Sequence, residues 1–68
     1  MSRKLKWTDV HDIAIALEEN HPNVEILAIR FTDLWQWVQD LSDFEDDPEK
    51  SSEKILEAIQ MAWLDERS

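Results

Sequence analysis

Residues 33–41, Asp33-Leu34-Trp35-Gln36-Trp37-Val38-Gln39-Asp40-Leu41, decide the fold. Leu34, Trp37, Val38 and Leu41 recur at the i, i+3, i+4, i+7 spacing of one helical stripe, and a strand would need strict alternation instead. Trp35 lies roughly 100° from Leu34 around the helix axis, at the edge of the buried face. Thr32-Asp33 reads as the helix start, with Asp33 and Gln36 in a weak capping-box spacing. Immediately downstream runs Asp40-Leu41-Ser42-Asp43-Phe44-Glu45-Asp46-Asp47-Pro48-Glu49, six acids in ten residues with no base before Lys50. Unpaired carboxylates are too costly to desolvate, so this stretch must face solvent, a cation or a basic partner. Phe44 within it is expected to tuck back onto the core.

Beyond the acidic stretch, Ser51 or Ser52 is positioned to cap a third segment whose stripe is Ile55, Leu56, Ile59, Ala62 and Trp63. Upstream, Thr8 and Asp9 open a first segment with its stripe at Val10, Ile13, Ala14 and Leu17. Asn20 is expected to end it in the left-handed conformation, before His21-Pro22. Helices are therefore expected near residues 9–19, 33–41 and 52–64. Residues 23–31 fit either an extended piece or helical turns. A lone strand has nothing to pair with, which favours a short fourth helical turn leading to a buried Ile29 and Phe31. The expectation is an all-α, three-helix domain spanning 1–68, with residues 1–6 as a basic polar arm. Trp37 and Trp63 fall on core stripes, and Trp7 is placed to staple the arm to the first helix.

Composition narrows function. Sixteen acids face seven Lys and Arg, a net charge of −9. Arg3, Lys4 and Lys6 put three bases in the first six residues, leaving four against all sixteen acids, a net of −12. Nucleic-acid binding needs a basic face that displaces counterions, so nucleic acid is not an expected partner. No apolar run approaches the roughly 18 residues of a membrane span, and the basic first segment lacks the apolar core of a secretion signal. The chain reads as a soluble cytoplasmic monomer. It has no cysteine and no glycine, which removes thiolate nucleophiles, thiolate metal sites and glycine-rich phosphate loops. Catalysis has no footing in what remains.

Asp43, Glu45 and Asp47 alternate as an EF-hand loop begins. However, Pro48 stands where that loop requires glycine, and Lys54 where it requires a bidentate glutamate. What is left is a looser carboxylate site for a divalent cation, weighed evenly against a solvated loop that serves solubility. His11 and His21, ten residues apart, do not have the spacing of a two-histidine site on one helix face. Trp35, beside the acids, is a candidate partner anchor, with partial burial the favoured alternative.

Four ordered blocks carry a resemblance: Leu5-Lys6-Trp7-Thr8-Asp9, Arg30-Phe31-Thr32-Asp33-Leu34, Asp43-Phe44-Glu45-Asp46-Asp47-Pro48, and Glu53-Lys54-Ile55-Leu56-Glu57-Ala58-Ile59 with Trp63-Leu64-Asp65-Glu66. Together they resemble the IscX (YfhJ) family, small acidic accessory factors of bacterial iron–sulfur cluster assembly. The resemblance implies a helical domain similar to a winged helix, used for protein binding. It implies a partner, the cysteine desulfurase IscS, for which bacterial frataxin competes, and weak ferrous iron binding through carboxylates without a tightly bound cofactor. Carried onto this chain, the matching partner-binding positions are Asp40, Asp43, Glu45, Asp46 and Asp47, with Asp65 and Glu66 as further matching acids. Glu49 and the edge residue Trp35 join the expected partner-binding set from the reading of the acidic stretch itself. The metal-binding residues are Asp43, Glu45, Asp46 and Asp47, and Asp9 and Asp33 are further matching acids of undetermined role. The chain departs from the pattern at Val24-Glu25-Ile26-Leu27, which lacks an Asp-Pro link. Trp35 and Gln39 stand where the family has histidine and cysteine. An adaptor for the desulfurase is the leading reading. An iron carrier is the alternative, and a DNA-binding helical domain is opposed by charge.

Overall fold

The computed structural model describes residues 4–68 and bears out the all-α expectation, with three α-helices, α1 Val10–Asn20, α2 Phe31–Asp40 and α3 Glu53–Arg67. Two short 3-10 turns, Ile26–Ala28 and Pro48–Lys50, lie in the connections. The expected fourth helical turn is thus present between α1 and α2. Its buried residue is Ile26, while Ile29 and Phe31 remain half-buried. The core is one cluster. Ile13, Ala14 and Leu17 of α1 pack on Leu56, Ile59, Ala62 and Trp63 of α3, and α2 adds Leu34 and Val38. The stripes read from the sequence are therefore the buried faces, except that Trp37, Val10 and Ile55 are only partly covered.

Helix ends follow local chemistry. Ser52 caps α3, its hydroxyl oxygen accepting from the Ile55 N–H at 3.3 Å. Thr8 does not cap α1. Asp9 occupies that position and its carboxylate turns back to accept the Lys6 N–H at 2.9 Å, while the Asp9 N–H donates to the Lys6 carbonyl. These reciprocal bonds close the 6–9 turn that aims the chain into α1. Nor does Asp33 start α2. The helix begins at Phe31 with Arg30 in the cap position, and Gln36 donates to Asp40 one turn on (3.1 Å) in place of a capping box. Asn20 does not adopt the left-handed conformation. His21 is the C-cap with φ −136°, and no described residue has positive φ.

The largest departure from the expected arm is at the N-terminus. Lys4–Trp7 is built into the fold through Leu5 and Trp7, although residues 1–3 of the expected arm lie outside the described residues. Leu5 is 4% and Trp7 1% exposed, so Trp7 is a core residue that buries on the order of 200 Å². Leu5 forms an isolated parallel bridge with Phe44, with Leu5 N–H to Asp43 carbonyl at 2.7 Å and Glu45 N–H to Leu5 carbonyl at 2.9 Å. At the other end, Arg67 ties α3 to the end of α1. It donates to Glu18 (2.9 Å), to the His21 carbonyl (3.0 Å) and to the Val24 carbonyl. Trp63 donates its indole N–H to the same Glu18 oxygen at 2.8 Å. These bonds, led by that of Trp63, hold the Glu18 carboxyl below the ordinary carboxylate range.

Candidate functional site: an acidic loop tied to the core

The loop that leaves α2 is held from inside by two tryptophans. Trp7 donates its indole N–H to the Asp47 carbonyl at 2.7 Å, and Trp35 donates its own to the Pro48 carbonyl at 3.1 Å. Phe44 stacks edge-on against Trp7, with ring centroids 4.7 Å apart. The turn at Pro48–Lys50 forms because Pro48 supplies a fixed φ at its first position and Asp47 caps it, accepting the Glu49 N–H at 3.0 Å. Lys6 reaches over to the Glu45 carbonyl at 2.8 Å, and Lys4 pairs with the Glu45 carboxylate at 3.1 Å.

Within this frame the acids divide into two sets. Asp46 is half-buried and turned inward. One carboxylate oxygen accepts the Trp7 backbone N–H (3.1 Å) and the other that of Asp47 (2.7 Å). These bonds, that of Trp7 first, favour the charged form and lower its pKa. Asp46 and Asp47 thus serve the loop's own backbone. Asp40, Asp43, Glu45 and Glu49 are exposed, and among them Asp40 accepts from Gln36 and Glu45 from Lys4.

Not all candidate residues meet at this site. Trp35 is half-buried beneath the loop with its N–H bonded to the Pro48 carbonyl, so the favoured partial burial holds. Gln39 bonds the Trp35 carbonyl at 3.1 Å on the same helix. Asp65 and Glu66 are exposed near the far end of α3, about 18 Å along the helix from Glu53 at 1.5 Å per residue. Among the described residues, no three His, Asp or Glu side chains are grouped so as to hold a metal ion.

Sequence reasoning missed Lys4, Lys6 and Trp7 as parts of the site. The available signal was the alternation Lys4-Leu5-Lys6-Trp7, the period-two pattern of an extended segment with one face buried.

The arrangement defines a small acidic helical protein that displays a fixed, charged loop, with no described helix long and apolar enough to cross a membrane. Comparison with known proteins makes it specific. The family model described as iron-sulphur cluster assembly matches residues 5–68, and the chain belongs to that family, IscX/YfhJ. It therefore has a role in iron–sulfur cluster assembly. An uncharacterized protein of Pseudomonas aeruginosa is 56% identical over 63 residues, covering 93% of this chain and 96% of that protein.

Proposed function

We propose that the protein is an acidic adaptor of cluster assembly that docks its loop face onto a basic surface of the cysteine desulfurase IscS. There it tunes sulfur delivery and competes with bacterial frataxin for the same surface. The observation that carries this reading is the outward set Asp40, Asp43, Glu45 and Glu49, presented by a loop bonded to Trp7 and Trp35. A negative field in a fixed position raises the association rate and restricts the choice of partner more than it adds affinity per contact. Ferrous ion, in this reading, is bound weakly and transiently by carboxylates of the loop, the exposed Asp43, Glu45 and Asp47 with the half-buried Asp46, oxygen ligands that suit such an ion. Iron binding then accompanies docking and is not the protein's main purpose.

The test separates display from scaffold. D43N/E45Q/E49Q removes three outward charges and leaves the bonds of Asp46 and Asp47 to the backbone intact. Its helices should match wild type by circular dichroism, while its binding to purified desulfurase falls about tenfold or more at 0.1 M salt. Wild-type binding should itself weaken towards 1 M salt, as the Debye length shortens from about 10 Å to about 3 Å. Undiminished binding by the triple variant, or wild-type binding indifferent to salt, refutes electrostatic docking.

A further inference from the structure

A cleft of about 270 Å³ opens beside the acidic loop, lined by Asn20, His21, Trp37, Asp40 and Leu41. Four of these five residues are helix termini. Asn20 and His21 are the last residue and C-cap of α1, and Asp40 and Leu41 are the last residue and C-cap of α2. The carboxyl ends of two helices therefore meet at one opening. Each carries about half a negative charge, so with Asp40 the cleft holds roughly two negative charges before screening. Neither helix has a basic residue in its last turn to offset this. Arg67 takes the His21 carbonyl, but its charge is already paired with Glu18. The walls are aromatic, since the His21 ring lies flat on Trp37, 4.3 Å between centroids and 13° between planes.

We infer that this cleft is a binding site for one arginine side chain of the protein's partner. The cleft offers two side-chain acceptors, the Asp40 carboxylate, one oxygen of which takes the Gln36 amide at 3.1 Å, and the Asn20 side-chain oxygen, since the Asn20 amide nitrogen is occupied by the Ala16 carbonyl at 2.7 Å. A guanidinium has five donors in a planar fork, is weakly hydrated and stacks on aromatic rings, so it fits this lining better than an ammonium. The inference deepens the docking reading and rests on it for the identity of the partner. The loop steers a basic surface inward, and the cleft, which begins at the loop's first residue, seats one side chain of it.

The probe is the blocked tripeptide acetyl-Gly-Arg-Gly-amide, titrated into the full ¹⁵N-labelled chain at constant ionic strength, with the lysine tripeptide in parallel. Saturable shifts are expected at the Trp37 indole N–H and at the amides of Asn20, His21, Asp40 and Leu41. D40N should weaken them about threefold to fivefold, the upper range for exposed charge pairs, whereas D43N/E45Q/E49Q should leave them in place. Shifts centred on residues 43–49, no saturable shift at Trp37, equal binding by D40N, or lysine binding as tightly as arginine each overturns the inference. Titration with the desulfurase distinguishes the two readings. If wild type does not bind the enzyme, docking fails and the tripeptide alone judges the cleft. If the enzyme binds without moving the Trp37 indole signal, the cleft inference fails and docking stands.

Discussion

Replacing Trp7 with phenylalanine should loosen the acidic loop before it unfolds the helices. Trp7 is 1% exposed, its backbone N–H bonds Asp46 and its indole N–H bonds the Asp47 carbonyl at 2.7 Å. Phenylalanine preserves the backbone bond and an aromatic surface for Phe44, but removes the indole donor and part of the buried ring. The lost hydrogen bond is worth about 0.5–1.5 kcal/mol. The unfilled volume adds a term smaller than the roughly 3–5 kcal/mol of a complete Trp→Ala truncation. A total of about 2 kcal/mol is expected, which for a domain of this size lowers Tm by roughly 8–16 °C. Thermal melts followed by circular dichroism measure that loss. Hydrogen exchange at the Glu45, Asp47 and Glu49 amides, each bonded in the wild-type loop, measures the loosening. These amides should exchange faster than those in the middle of α3. An unchanged Tm, or loop amides as protected as in wild type, would refute Trp7 as the link between loop and core.

Two further outcomes follow from the same contacts. Asp46 and Glu18 both have lowered carboxyl pKa values in the folded protein, so their contribution is present above the unfolded values of about 3.9 and 4.3 and is lost as pH falls through the folded ones. D46N and E18Q should be less stable than wild type at pH 7 and approach it in strong acid; urea titrations across pH 2–7 that give a constant gap contradict this. Anaerobic titration with ferrous ion should broaden NMR signals around residues 40–49 only at high metal concentration, and a chelator should leave the fold intact. Tight binding, broadening centred elsewhere, or unfolding by the chelator would contradict weak loop binding.

How much was legible in the sequence depends on the range of the interaction. The helices came from periodicity and caps, which are local, and all three fall within a few residues of expectation; α3 gains a last turn because Arg67 finds Glu18 and two carbonyls on α1 and the link beyond it. The Lys4–Trp7 segment did not, because its partners lie about forty residues away and four alternating residues do not name them. The acidic loop was conspicuous by charge. Nothing in the order of its letters separates the inward Asp46 from the outward Asp43, since the difference is made by a backbone N–H arriving from Trp7. Asp65 and Glu66, which enter through the family resemblance, stand on the last turn of α3, about 18 Å along the helix from Glu53.

The absence of positive φ among the described residues, in a chain with no glycine at all, has a consequence for the unfolded protein. No described turn calls for the left-handed backbone region that favours glycine, so the described fold has no need of it there. The denatured chain, in contrast, is restricted at every position. Where the native angles permit it, each glycine replaced by alanine raises stability by about 0.4–1 kcal/mol by reducing the conformations lost on folding. Part of what keeps so small a domain folded therefore lies in the narrowness of its unfolded ensemble, where no contact map would show it.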